Sequence, residues 1–295
     1  MRKAIRRAYT NSNDLLRMQE LTRALWTLDA NYHIGDLAWQ RNRHVGLEEN
    51  WITAIWEVNG KTVAWGWIEL PDNLIFQVDP NFYEVAMDVL DWFDENIETN
   101  EKKVSVLDKE THLISTLQDA LYTPLKEAPY ILSKISLDRC PFTVQLPDKF
   151  IGRHLQGPKD IQNRVTVHKA AFHPSKVSEE SYLNVMNAFP YDPSLDWVIE
   201  SPNGEFVAFC LIWYDEENKV GLLEPVGTDP RFRRMGLASS VCKLALNELR
   251  KKGAETAIVC TWIERPGKPH PDSLYLYKSI GFEQYAETKS FHRSK

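Results

Sequence analysis

Two periodicities of apolar and polar positions alternate along the chain, and the alternation runs through twice. In the first half, residues 4–9 read as a short strand. Residues 13–27 put Leu15, Leu16, Met18, Leu21, Leu25 and Trp26 on one face of a helix, with N-cap side chains available from Asn11 to Asp14. Strand-like runs at 51–58 and 62–70 flank Asn59-Gly60. That pair favours a type I′ hairpin turn, in which both central residues need positive φ. A strand at 74–78, a helix at 82–96, a strand at 103–107, a helix at 111–122 and a strand at 130–137 complete this half. The second half predicts a helix at 161–171 and strands at 197–200 and 206–213 around Asn203-Gly204. A strand at 220–228, a helix at 237–252, a strand at 256–263 and a helix at 270–279 follow. The helix at 237–252 carries Leu237, Val241, Leu244, Ala245 and Leu249 on one stripe, basic residues in its last turn and Gly253 just beyond it.

The two halves share short sequences in the same order. Gly60-Lys61-Thr62-Val63-Ala64-Trp65 matches Gly204-Glu205-Phe206-Val207-Ala208-Phe209. Asp79-Pro80-Asn81-Phe82 matches Asp229-Pro230-Arg231-Phe232, and Leu121-Tyr122 matches Leu276-Tyr277. Each match is short, and chance similarity between turn sequences is the alternative. Slowly growing spacings fit a duplicated domain with small insertions. The expected fold class is therefore α/β (α+β), as two tandem domains, each a mixed, mostly antiparallel twisted sheet flanked by helices. The expected boundaries are 1–138 and 150–295, with a Pro-containing linker at 139–149.

Composition narrows the function classes. The chain has 295 residues, 43% hydrophobic, with a formal charge of −6. Two cores can be buried, and the acidic balance argues against a nucleic-acid partner. No apolar run is long enough to span a membrane, and Met1-Arg2-Lys3-Ala4-Ile5-Arg6-Arg7 has no apolar stretch after it. Cys140, Cys210, Cys242 and Cys260 form no C-x-x-C or metal-ligand spacing. A cytoplasmic protein with no metal and no membrane partner is expected.

One segment carries chemistry. From Thr228 to Ser239 the chain reads Thr-Asp-Pro-Arg-Phe-Arg-Arg-Met-Gly-Leu-Ala-Ser, between a strand and an amphipathic helix. The first amides of a helix lack intrahelical acceptors and point outward together, which suits a phosphate or pyrophosphate. Small residues at Gly236 and Ala238 admit an anion to the backbone, and Arg233 and Arg234 supply charge. The alternative is a surface helix with a basic N-terminus, which opposes the helix dipole.

With these residues in view, the second half resembles the GNAT N-acetyltransferase superfamily, whose signature is V-x-P-x-x-R/Q-x-x-G-x-G/A. Thr228, Pro230, Arg233, Gly236 and Ala238 occupy its positions. The downstream pattern N-x-x-A-x-x-L-Y-x-x-x-G-F falls on His270, Ser273, Leu276, Tyr277, Gly281 and Phe282. The resemblance covers about residues 150–295. The first half keeps Val78-Asp79-Pro80 but has Tyr83, Glu84, Ala86 and Asp88 around its turn. It reads as a degenerate copy, so the whole chain resembles tandem GNAT proteins of the mycothiol synthase-like type.

The resemblance implies an acetyl-CoA-dependent N-acetyltransferase. It moves an acetyl group to a primary amine by direct attack in a ternary complex, in the C-terminal domain. It implies cofactor contacts from Val226, Gly227, Thr228, Arg233, Arg234, Met235, Gly236, Leu237, Ala238 and Ser239, with thioester contacts along 226–228. It places Tyr277 as the acid at the leaving thiolate; a half-buried aromatic is the alternative. From strand alternation, Glu224 shares a face with Val226 and Thr228 and is the first candidate base, or else a salt-bridged carboxylate. Glu264 and His270 are weaker candidates. Trp197, Trp213, Tyr214 and Trp262 line a pocket or belong to the core. Phe172, Phe189 and Tyr191 lie where the family builds acceptor specificity. The acceptor is a small-molecule or peptide amine. The competing reading is a non-catalytic acyl-CoA-binding or sensing protein whose degenerate first half binds a partner.

Overall fold

The computed structural model describes residues 3–262 and 272–294. In chain order it contains β1 (Ile5–Ala8), α1 (Ser12–Leu25), α2 (Ile34–Asn42), β2 (Trp51–Val58), β3 (Lys61–Glu69), β4 (Asn73–Val78), α3 (Val85–Asn96) and β5 (Glu101–Leu107). Next come α4 (Thr111–Asp119), β6 (Thr123–Pro124), β7 (Tyr130–Ser136), β8 (Ile151–His154), α5 (Ile161–Ala171), α6 (Glu179–Asn187), β9 (Asp196–Glu200) and β10 (Phe206–Asp215). The chain closes with β11 (Val220–Thr228), α7 (Leu237–Lys251), β12 (Thr256–Trp262), α8 (Asp272–Ile280) and β13 (Glu283–Ser294). Asn59 and Gly60 both have positive φ, at 54° and 77°, as a type I′ turn demands. At the second hairpin only Gly204 does. Pro202 fixes its own φ and so selects a different turn there.

Contacts divide the chain into two compact units that are not contiguous halves. The first comprises the residues up to His33, Gly46–Ile131 and those from Ala286 on; the second comprises Ile34–Val45 and Leu132–Tyr285. In the first unit the strand order is β1-β2-β3-β4-β5-β13, with β4 and β5 parallel. In the second it is β8-β9-β10-β11-β12-β7, with β11 and β12 parallel. The two sheets have the same plan, and each takes its last strand from the opposite half of the chain. The second unit also takes α2, a helix that the sequence reading left unassigned.

The repeat extends to individual hydrogen bonds. The Asp79 amide donates to Val63 O at 2.8 Å, and the Asp229 amide to Val207 O at 2.9 Å. Asp79 and Asp229 each cap the following turn, accepting from the amides of Asn81 and Arg231 at 2.9 Å. In the second unit α7 buries Leu237, Val241, Ala245 and Leu249 against Val207, Ile212 and Leu223 of the sheet. Each buried leucine or valine among them contributes about 1.5–3 kcal/mol.

The segment 139–149 is fastened along α7. Asn247 holds Phe142 in both directions, accepting its amide at 2.6 Å and donating to its carbonyl at 3.0 Å. The Ser240 hydroxyl donates to Gln145 O at 2.7 Å. These bonds fix the helix whose N-terminus carries the candidate site.

In the first unit Glu110 is buried and accepts the Leu107 amide at 2.8 Å. Burial pushes its carboxyl up to about 7, against the opposing pull of the backbone donors. An acid raised in the folded state makes folding less favourable as pH climbs from the ordinary carboxylate range to about 7. Glu110→Gln removes that penalty. The variant is expected to gain on the order of 1–2 kcal/mol over the parent at pH 8. Urea midpoints across pH 4–8 should show the gain shrinking towards zero at the acid end.

Candidate active site

The turn between β11 and α7 has an unusual backbone. Pro230–Phe232 form one 3-10 turn, Arg234 has φ 65°, and Gly236 at the helix N-cap has φ 76°. Two left-handed residues so close together curl the chain into a cradle. Among the described residues, no acceptor takes the amides from Arg233 to Ser239, and the first α7 bond runs from Ser240 N to Gly236 O at 3.0 Å. Arg233, Arg234, Met235 and Gly236 are exposed, Leu237 is buried, and Ala238 and Ser239 are half-buried. A Cβ on Gly236 would meet nothing within 4 Å, so the space before the amides is open. Thr228 Oγ1, at the end of β11, is buried with no hydrogen-bond partner among the described residues. Open amides, a helix N-terminus and exposed guanidiniums suit a coenzyme's diphosphate. Arg231, by contrast, is engaged by Asp229 at 2.8 Å and Glu205 at 3.6 Å.

The matching turn of the first unit lacks these properties. Tyr83 and Glu84 are right-handed, at φ −54° and −58°. The amides of Ala86 and Met87 donate to Tyr83 O and Glu84 O at 3.0 and 3.3 Å. The exposed carboxylates Glu84 and Asp88 flank the helix start, where they repel an anion.

Beyond the turn, among the described residues, β11 and β12 pair only through Val220–Thr256, Gly221–Ala257 and Leu222–Ile258. From Leu223 on, β11 keeps its partners on β10 alone among the described residues, so its edge at Val226, Gly227 and Thr228 is open. Two residues of β11, Glu224 and Pro225, oppose Leu211 alone, because the register shifts between Cys210 and Ile212. This bulge corrects the expected alternation. Val226 packs towards the α7 core, whereas Gly227 lies against Phe209 and Ala171. Glu224 lies near Asp36 of α2 and Arg43, the residue just past its end. Glu224 and Val226 therefore do not share a face, since an added residue reverses the period of two. Pro225 marked the irregularity; its consequence for the faces was missed.

Asp36 is the residue that sequence reasoning failed to find. Its carboxyl lies close to that of Glu224. Burial, then the Asp36 charge, push Glu224 well above the usual carboxylate range, and Arg43 opposes them. The neighbouring Gly35 has no room for a side chain, because a Cβ would sit 2.3 Å from Trp213 Cβ. Gly35→Ala is expected to cost about 1–3 kcal/mol through overpacking, read as a lowered Tm.

Tyr277 is buried on α8, and among the described residues its hydroxyl makes no hydrogen bond. Burial, then the nearby Cys242, Cys210, Glu224 and Cys260, hold its phenol well above the ordinary value, so it stays protonated. Cys260 and Trp262 are exposed two residues apart on β12, on the strand facing the open edge of β11. The other aromatics sort differently from the pocket reading. Trp213 is fully buried and donates to Glu224 O at 2.7 Å. Trp197 donates to Ser194 O at 2.9 Å, and Tyr214 to Lys252 O at 3.3 Å. Tyr191 donates to the buried Asp196 at 3.2 Å, which also binds Arg164 and Tyr182. These groups hold α5 and α6 on the sheet. Phe172 and Phe189 remain partly accessible. Glu264 and His270 lie outside the described residues. No helix among the described residues is long and apolar enough to cross a membrane.

Comparison with known proteins agrees with this arrangement. The chain is similar over 99% of its length to a GCN5-related N-acetyltransferase from Sphaerobacter thermophilus (TM-score 0.62, 17% identity, 95% of that chain). It is likewise similar over 99% to a tandem GNAT protein from the clavulanic acid biosynthesis pathway (TM-score 0.67, 9% identity, 98% of that chain). Saccharomyces cerevisiae N-myristoyltransferase with bound myristoyl-CoA also shares the fold (TM-score 0.57, 12% identity, 99% of this chain and 79% of that one). No curated protein sequence matches. The fold is that of tandem GNAT proteins, and residues 164–282, which hold the open turn, the bulged strand and Tyr277, match the model of the Acetyltransferase (GNAT) family.

Proposed function

We propose that the protein is an acetyl-CoA-dependent N-acetyltransferase whose second unit moves an acetyl group to a primary amine by direct attack. The observation that carries this reading is the exposed turn at Arg234 and Gly236, with its unengaged amides beside an open strand edge. The amides from Arg234 to Ser239 bind the coenzyme's diphosphate, with Arg233 and Arg234 adding charge-assisted contacts. When bound, the coenzyme supplies a thioester as acyl donor. The backbone at Val226, Gly227 and Thr228 orients it, and an amide there steadies the negative charge developing on the carbonyl oxygen. One such donor is typically worth about 10²–10³ in rate. Glu224 accepts a proton from the incoming ammonium. Tyr277 donates to the sulfur as the thiolate leaves.

The first unit supports activity in the second alone. Ile75, opposite Trp67, stands where the bulged pair Glu224 and Pro225 stands opposite Leu211, and Gln77, tied to Thr22 at 2.7 Å, stands where Gly227 stands. Leu117 of α4 stands where Tyr277 stands and Tyr122 where Phe282 stands, since the amides of Tyr122 and Phe282 donate to Leu117 O and Tyr277 O at 2.9 and 3.0 Å; the sequence match of Leu121-Tyr122 to Leu276-Tyr277 is therefore five residues out of register.

The test is thiol release from acetyl-CoA with a panel of amines, run beside calorimetric titration with CoA. Amine-dependent thiol release is the expected result. CoA binding without transfer to any amine would favour a binding or sensing protein instead. Absence of both would end the proposal.

A further inference from the structure

In the second unit Gly227 faces the side of the sheet that α5 covers. A Cβ at this position would lie 2.4 Å from Phe209 Cζ, 2.8 Å from Phe209 Cε1 and 2.9 Å from Ala171 Cβ. Bare backbone therefore meets the edge of a ring and the last residue of α5. Phe209 has no room to swing aside. The fully buried Arg164 guanidinium lies 3.9 Å from its ring centroid, and the His168 ring stacks on it at 5.5 Å and 24°. Arg164 Nε donates to Asp196 at 3.2 Å, and His168 Nδ1 lies 3.2 Å from the Ser175 hydroxyl. Burial, then Arg164, His44 and Arg43, pull the imidazole down to about 3, so it stays neutral beside the guanidinium. Phe172, the residue after α5, continues this surface. Its ring centroid is 6.0 Å from that of Phe209 and 4.9 Å from that of His168, and it is half-buried.

Helix α7 covers the opposite face. Its N-terminus carries the cradle, and Tyr277 belongs to the same buried cluster as Leu237, Val241 and Ala245. A sulfur that takes its proton from Tyr277 must face that hydroxyl. The carbonyl carbon and its substituent then lie on the far side of the sulfur, which at the open edge of β11 is the side of Gly227.

We propose that Phe209, Ala171 and Phe172 set the length of the donor's acyl group, forming a stiff apolar wall that admits the two carbons of an acetyl group and turns away longer chains. This deepens the function proposed above and rests on it. Close-packed side chains resist even the volume of one methylene, because their neighbours have nowhere to go. A ring held on its face by a guanidinium and at its edge by backbone is in that position. Phe209 and Ala171 are the rigid part of the wall, and the half-buried Phe172 is its rim.

The experiment has two arms on the full chain. The first compares kcat/KM for acetyl-CoA and butyryl-CoA, read as thiol release with spermidine, glucosamine and a short peptide as probe amines. Wild type should prefer acetyl-CoA at least about tenfold, the usual effect of a refused methylene. Ala171→Gly removes the methyl that touches the strand, and Phe172→Ala removes the rim. Each should lower the preference at least about fivefold, and Phe172→Leu should keep more of it. Because the ratio compares two donors on one enzyme, any loss of folded protein cancels from it. The second arm needs no turnover. Calorimetric titration compares CoA with S-ethyl-CoA and S-butyl-CoA, thioethers of acetyl and butyryl chain length. S-butyl-CoA should bind wild type at least about tenfold more weakly than S-ethyl-CoA, and the gap should narrow in both variants.

Equal kcat/KM for the two donors in wild type overturns the wall and leaves the transferase intact. A preference that persists undiminished in Ala171→Gly and Phe172→Ala overturns it too, since the selection then lies elsewhere. No thiol release from either donor, with the two thioethers still distinguished, removes the transfer and supports the wall. Absence of CoA binding overturns both.

Discussion

Gly236→Glu is expected to weaken CoA binding at least about a hundredfold with the fold retained. Three physical effects act in the same direction. Position 236 sits at φ 76°, a conformation that costs a residue with a side chain about 1–2 kcal/mol. The new side chain projects into the space that the amides face, since nothing of the protein lies within 4 Å of the added Cβ. A carboxylate there also repels a diphosphate. A hundredfold corresponds to about 2.7 kcal/mol. Because the substituted atom touches no protein, the loss reports on the ligand and not on packing. Gly236→Ala is the internal control. It carries the backbone strain alone and should weaken binding several-fold. Calorimetry with CoA, beside thermal melts, decides the matter. If Gly236→Glu binds within fivefold of wild type, the diphosphate does not lie on this turn.

Tyr277→Phe should lower kcat about a hundredfold while barely changing the affinity for CoA. The phenol is buried and held protonated, so it is a donor at every working pH and never a base. Its ring packs against Phe282, with centroids 5.5 Å apart, and phenylalanine preserves that contact. Removing the hydroxyl therefore takes away one proton donor and little else. An interaction made only as the thiolate departs should appear in kcat and kcat/KM together. Measuring both, with CoA affinity determined separately, distinguishes this outcome from general damage. An unchanged kcat would move the donor elsewhere on the open edge of β11.

The sequence made local features visible and hid those built from distant parts. The α7 stripe at Leu237, Val241, Ala245 and Leu249 was legible because one helix face meets one sheet, and periodicity reports that directly. The turn at 233–239 was legible because its residue types are restricted by backbone shape. Helix α2 was not, because nine residues with Gly35 in the first turn look like a poor helix until Trp213 is set against them. Asp36 stayed hidden for the same reason. Its meaning lies in a carboxyl nearly two hundred positions away, which no local pattern encodes. The face of Glu224 was misread because a single extra residue in β11 reverses all that follows it.

The crossed ownership of the terminal strands bears on how such a chain can be cut. A fragment holding only 150–295 carries the cradle, Tyr277 and Glu224, yet lacks Asp36 and leaves β12 without its neighbour β7. The complementary fragment leaves β5 bare in the same way. Bared edges of this kind invite pairing with stray strands. Gene fission at the midpoint should therefore yield two insoluble products that recover only when made together. Because each unit's last strand comes from the other half of the sequence, the two units cannot be separated by a single cut at the midpoint of the chain.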